Sequence, residues 1–166
     1  MIFISLGANL DSRDHGSPVA TLSAALDALG LHNCSVLRRS SWYSSAPVPA
    51  SSQPWFVNAV AQLESNLAPE SLLAHLQAIE DRFGRVRSTP NAPRTIDLDL
   101  LVYDDRVLQA DPGPIVPHPR MHQRAFVLLP LRELAPDWVD PRSGRSLQDL
   151  IDDLPANQLC WPANEG

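Results

Sequence analysis

Lysine is absent from this chain: all 13 of its basic residues are arginine. That excludes Schiff-base chemistry and the lysine of a GxxxxGK[ST] phosphate loop. Glycine is scarce at seven residues, and the GxGxxG dinucleotide fingerprint does not occur. Cys34 and Cys160 are too few and too far apart for a disulfide framework or a cysteine zinc cage, so a reducing, cytoplasmic setting is expected. No apolar run approaches the roughly 20 residues that span a bilayer. The opening MIFISLGANLDSR has no basic region and turns polar at Asn9, so no secretory signal is expected either. Positive charge is in deficit, with 19 acidic residues against 13 basic ones and a net charge of −6. That speaks against a nucleic-acid partner, which requires a positive field. A phosphate ligand would have to be met by arginine and metal.

What is present suits one globular domain spanning residues 1–166, with 44% hydrophobic and 19% charged residues. Ile2–Leu6 reads as a short apolar strand, and Asn9–Ser17 as a loop. Ser17-Pro18 is a cap followed by a good first helical residue, and Leu22, Ala25, Leu26 and Leu29 carry the helix to Gly30. Cys34–Tyr43 and Trp55–Leu63 read as strands. Pro69 opens a second helix whose Leu72, Leu76, Ile79 and Phe83 share one face. Thr95–Tyr103 is a further strand. The order β-α-β-β-α-β is that of a ferredoxin-like split βαβ unit, an α+β fold with an antiparallel sheet. Helices on one face would leave the other face free for a site. Arg124–Leu134, despite Pro130, and Ser146–Leu154 read as a C-terminal helical extension.

The most unusual chemistry lies inside Thr95-Ile96-Asp97-Leu98-Asp99-Leu100. Strand side chains alternate, so Asp97 and Asp99 share one face while Ile96, Leu98 and Leu100 share the other. Two carboxylates about 6.5 Å apart repel by roughly 2.5 kcal/mol at an effective dielectric constant of about 20. A divalent cation between them reverses that cost, and a hard oxygen pair suits Mg²⁺. A solvated strand face would carry the same pair without any ligand. Arg85, Arg87 and Arg94 crowd the polar loop that leads into this strand. Guanidinium forks bind phosphate bidentately, and arginines beside acidic metal ligands are the layout of metal–nucleotide chemistry. Phe56 and Asn58 share a strand face, a ring beside an amide that suits a flat heterocycle. Gln77 and Glu80 flank the second helix's apolar stripe, and His118, Arg124 and Phe126 follow the acidic strand. Each of these, taken singly, is also what an ordinary core or surface supplies.

Together the segments resemble a known family. Pro93-Arg94 followed by Thr95–Leu100 resembles the PRTIDLDL signature of the 6-hydroxymethyl-7,8-dihydropterin pyrophosphokinases. Ser5–Leu10, Ser41-Trp42-Tyr43, Ala46-Pro47-Val48, Gln53–Ala59, Gly84–Arg87, Val116-Pro117-His118 and Arg124-Ala125-Phe126 follow the same family in order, from Ile2 to about Pro136. The resemblance implies transfer of the β,γ-diphosphate of ATP to the pterin hydroxymethyl group with release of AMP, in folate biosynthesis. It implies two Mg²⁺ ions on Asp97 and Asp99, and Arg85 and Arg94 as catalytic arginines. It implies a pterin site of Ser45, Ala46, Val48, Phe56, Asn58 and Phe126. Gln77, Glu80, Arg87, Leu100, Ile115, His118 and Arg124 would contact or support the nucleotide. The chain is expected to act as a monomer on ATP and the pterin, without nucleic acid or membrane. It departs from some family members in a shorter loop at Ser88–Ala92, in Pro119 after the histidine, and in Phe56 where they carry tyrosine.

Overall fold

The computed structural model describes residues 1–31, 33–86, 89 and 91–163. Strand β1 (Ile2–Ala8) runs through the middle of an antiparallel sheet. It lies between β4 (Phe56–Ser65) and β5 (Asp97–Tyr103). The far edge of β4 is shared end to end by β2 (Cys34–Arg39) and β3 (Tyr43–Ser45). The sequence suggests one strand over Cys34–Tyr43; the chain divides it at Ser40. The Ser40 hydroxyl accepts from the Val60 N–H at 3.0 Å, while the Ser40 N–H donates to the Val60 carbonyl at 2.8 Å. A side chain thus takes over a ladder acceptor, and regular pairing breaks there. β8 (Cys160–Pro162) adds to the outer edge of β3, so the tail, which carries no sequence signal, completes the sheet. β6 (Leu108–Gln109) and β7 (Ile115–Val116) form a separate two-stranded ribbon.

Helix α1 (Pro18–Leu29) begins as its cap demands: the Ser17 hydroxyl accepts from the Ala20 N–H at 3.2 Å. Helix α2 (Pro69–Arg82) carries proline in its first turn, and the chain leaves it at Gly84, whose φ is +82°. Leu22, Leu29, Leu72, Leu76 and Ile79 bury themselves against Ile4, Leu6, Leu98 and Leu100 on one face of the sheet.

The opposite face is not free, contrary to the expectation from element order. Helices α3 (Ala125–Leu134) and α4 (Leu147–Asp152) cover part of it, through Val127, Leu128, Leu131 and Leu150 against Phe3, Val60 and Leu101. The side-chain alternation explains where the cover stops. Phe3, Val60 and Leu101 are apolar and need burial. Further along the same face come Ser5, Gly7, Asn58, Asp97 and Asp99, which do not. Pro130 sits within α3 and supplies no N–H to the Phe126 carbonyl one turn back. The result is a mixed α and antiparallel β fold with four α-helices among the described residues.

Candidate active site

Strand register assembles the floor. Asp97 on β5 pairs with Gly7 on β1, Gly7 with Asn58 on β4, and Asn58 with Tyr43 on β3. Asp99 faces Ser5 in the next row. Gly7 is required by close approach: a Cβ there would come within 2.9 Å of the Asn58 amide nitrogen. The Ser45 hydroxyl donates to Asn58 Oδ1 at 2.5 Å, with both residues buried, so the amide is held with its nitrogen towards Gly7.

Two cavities meet above this floor. One, of about 650 Å³, is bounded by Ser45, Ala46, Val48, Phe56, Asn58 and Phe126 among others. The other, of about 500 Å³, is bounded by Arg85, Asp99 and His118. Arg94, Asp97 and Arg124 line both, so Asp97 stands at the junction.

Asp97 receives one arginine on each oxygen: Arg85 Nη1 at 2.7 Å from Oδ1 and Arg94 Nη1 at 3.1 Å from Oδ2. Arg85 Nη1 also donates to Glu80 Oε2 at 2.9 Å and to the Ile96 carbonyl at 2.9 Å. Glu80 is 4% exposed and accepts from the Leu98 N–H at 3.0 Å through the same oxygen. It is therefore a clamp between α2, the arginine and the edge of β5 rather than a lining residue. Arg94 is fixed through its backbone. Its N–H donates to Asn9 Oδ1 at 2.9 Å, and its carbonyl accepts from the Asn9 and Leu10 N–H groups at 3.0 and 3.1 Å. The Arg94 guanidinium lies 5.9 Å from the Phe56 ring centroid, and that of Arg124 lies 5.4 Å from the Phe126 ring.

Burial, reinforced by the charge of Asp97, pushes the Asp99 carboxyl up to about 7; Arg124 and Arg85 oppose the rise. Burial and the charge of Arg124 bring His118 down to about 4, against the opposing pull of Asp97. Its Nδ1 accepts from the Arg120 N–H at 3.1 Å, which leaves Nε2 to carry the proton of a neutral ring.

The donor set fits a hard divalent cation. Asp99 is a recessed carboxylate burdened by desolvation and by the neighbouring charge of Asp97, a burden that a cation between the two would relieve. Among the described residues no group of three or more His, Cys, Asp or Glu could hold a metal ion. The remaining ligands would come from water and a bound anion, as suits Mg²⁺ and not a zinc cage.

The raised Asp99 also predicts a pH dependence. Between the unfolded value of 3.8 and about 7, the folded protein binds this proton more tightly than the unfolded chain. The Asp99 contribution to stability therefore falls as pH rises through that window. In EDTA, the Tm of Asp99→Asn should lack that component of the decline seen in the parent; identical pH profiles would remove the assignment.

The placement of four further sequence-derived residues bears on which of their groups can meet a ligand. Gln77 is exposed on α2 and Ile115 is 41% exposed on β7, and neither lines either of the two cavities described. The Leu100 side chain belongs to the α1/α2 core, which leaves only its main chain on the outer edge of β5. The Ala46 N–H is already given to the Leu159 carbonyl at 3.0 Å. Arg87 lies outside the described residues.

Sequence reasoning missed several others. Asn9 is 4% exposed, and its Nδ2 donates to Gln53 Oε1 at 2.8 Å and the Pro54 carbonyl at 2.9 Å. Gln53 in turn donates to the Asn91 carbonyl at 3.0 Å. One buried amide thus ties the β1–α1 loop to both ligand-lining loops. An Asn directly after a strand was its only signal. Gln158 accepts from the Ala125 N–H at 2.8 Å and donates to the Gln123 carbonyl at 2.6 Å. It satisfies an N-terminal donor of α3 from 33 residues away, with no local signature.

A carboxylate pair ringed by arginines, beside a pocket with an amide and two aromatic rings, defines a protein equipped for polyphosphate and a flat polar heterocycle. Residues 3–136 match the model of the family described as 7,8-dihydro-6-hydroxymethylpterin-pyrophosphokinase (HPPK), and the chain belongs to that family. A 2-amino-4-hydroxy-6-hydroxymethyldihydropteridine pyrophosphokinase of Synechocystis sp. is 42% identical over 98% of this chain and 80% of its own length. The protein of that description from Pseudomonas aeruginosa is 44% identical over 90% of this chain and 89% of its own. A crystal structure of Plasmodium falciparum HPPK-DHPS matches the fold with a TM-score of 0.67 at 13% identity. That match covers 91% of this chain but 43% of the larger one.

Proposed function

We propose that this chain transfers the β,γ-diphosphate of ATP to the hydroxymethyl oxygen of 6-hydroxymethyl-7,8-dihydropterin, in folate biosynthesis. The pterin oxygen bonds to the β-phosphorus, the bond from that phosphorus to the α,β-bridging oxygen breaks, and AMP leaves with that oxygen. The hydroxyl proton passes to solvent. The observation that carries this reading is the junction: an aromatic, amide-bearing cavity and an arginine-rich one share Asp97. The strand order β5-β1-β4 followed by β2 and β3 supports reading the scaffold as ferredoxin-like with a C-terminal helical extension.

On this reading Phe56 and Phe126 flank the pterin, and Asn58, oriented by Ser45, offers its amide N–H groups to the ring edge. The Ala46 carbonyl and the Val48 main chain complete that edge. His118 donates from Nε2 to the nucleotide, and Arg124 meets its phosphates. Arg85 and Arg94 stabilise charge on the transferring diphosphate. Asp97 and Asp99 would hold two Mg²⁺ ions, which neutralise charge on the attacking and leaving oxygens when bound. The nucleotide roles implied for Gln77 and Ile115 have no support from their positions. The chain is read as acting as a monomer. Among the described residues no helix is long and apolar enough to cross a membrane.

The test is AMP release from ATP and Mg²⁺, with and without the pterin, and with EDTA as control. AMP that depends on both pterin and metal supports the reading. ADP instead would mean single phosphoryl transfer, and no turnover by folded protein would reject catalysis. A sharper check uses Gly7→Ala. A methyl group forced against Asn58 costs about 1–3 kcal/mol. The KM for pterin should then rise roughly tenfold while that for ATP stays within about twofold. Equal effects on both substrates would mean that the floor is not pterin-specific.

A further inference from the structure

The turn after α3 lies beyond the family-matched residues 3–136, yet it reaches back into the site. Val139 and Ser146 pair across it. Asp140, inside it, is 3% exposed. Its Oδ1 accepts from the Arg142 N–H at 2.9 Å and from Arg142 Nε at 3.2 Å, and its Oδ2 accepts from Nη2 at 3.3 Å. This fork fixes the guanidinium plane. The remaining nitrogen, Nη1, donates to the Pro117 carbonyl at 3.2 Å and to the His118 carbonyl at 3.3 Å.

His118 is thereby held from two sides. Its N–H donates to the Leu101 carbonyl on β5 at 2.8 Å, two residues beyond Asp99, and its C=O is taken by Arg142. The segment needs such anchoring. Asp111–Arg120 carries four prolines and, apart from β7, has no regular structure. Ordering it therefore rests on groups supplied from elsewhere.

We infer that Arg142, locked by Asp140, is a positioning residue for nucleotide binding, acting through the His118 peptide. A mere staple of its own turn would engage Asp140 alone. The two carbonyl acceptors 24 and 25 residues away are what point to the site. The inference rests on the nucleotide reading of the His118 cavity. An arginine is required because one planar group must serve a carboxylate and two carbonyls at once.

The test measures affinity for a non-hydrolysable ATP analogue with Mg²⁺, pterin affinity, kcat and Tm in the full chain. Arg142→Ala should weaken the analogue about tenfold, with kcat within about threefold and pterin affinity unchanged. Added guanidinium ion should restore part of the loss, and Arg142→Lys should not. In a His118→Ala background, Arg142→Ala should cost nothing further in analogue affinity. If Arg142→Ala does not fold, Arg142→Gln serves in the same cycle. Undiminished affinity, equal loss for both substrates, or additive effects in the double variant would overturn the positioning role. A parent chain that binds no ATP analogue would instead overturn the nucleotide reading, and this inference with it.

Discussion

Asp97→Asn and Asp99→Asn are each expected to lower AMP release by roughly 10³-fold while the protein stays folded. Asparagine keeps the shape and one acceptor oxygen but removes the charge. At position 99 the change relieves a carboxylate destabilised by burial and by Asp97, so Tm in EDTA should hold or rise near neutral pH. At position 97 it deprives Arg85 and Arg94 of their shared anion, so a modest fall in Tm is expected. Opposite Tm responses with the same loss of turnover would separate the metal-binding role from the structural one. Near-normal rates in either variant would remove the metal assignment.

The second large effect is expected at Arg85. Arg85→Ala should lower kcat by roughly 10²–10³-fold while ATP affinity changes only a few-fold. The geometry explains the asymmetry. Arg85 Nη1 is committed to Glu80, Ile96 and Asp97, so the side chain is preset at the rim of the arginine-lined cavity instead of being recruited from solvent. Arg85→Lys should rescue little, since an ammonium that took over the three contacts of Nη1 would have no planar fork left to offer a phosphate. A rise in KM for ATP with kcat intact would move Arg85 from charge stabilisation in the transition state to simple binding.

The acidic strand was legible because alternation is a short-range rule: Asp97 and Asp99 do share a face, and Leu98 and Leu100 do face the core. Ser17 and the prolines at 18 and 69 announced their helices for the same reason. What was not legible depends on distant partners. Asn9 and Gln158 each bridge segments far apart in the chain, and no spacing encodes that. Gly7 counts only once register sets it between Asp97 and Asn58. The covered half of the second sheet face was misread because the element order omits α3 and α4. The helical periodicity of α3 was visible, but its docking against Phe3 and Val60 was not.

The central place of β1 has a consequence for how the molecule comes together. Ile2 pairs with Leu63 on one side and with Tyr103 on the other, so both partners of the middle strand lie far downstream. Such non-local pairing is slow to form, and until it does β1 carries two open edges beside Phe3, Ile4 and Leu6. Arrival of β5 seals one of those edges. In the same movement it carries Asp97 to Gly7 and Asp99 to Ser5. Enclosure of the middle strand and delivery of the carboxylate pair to the floor of the site are thus one folding event, and a chain halted before β5 has neither.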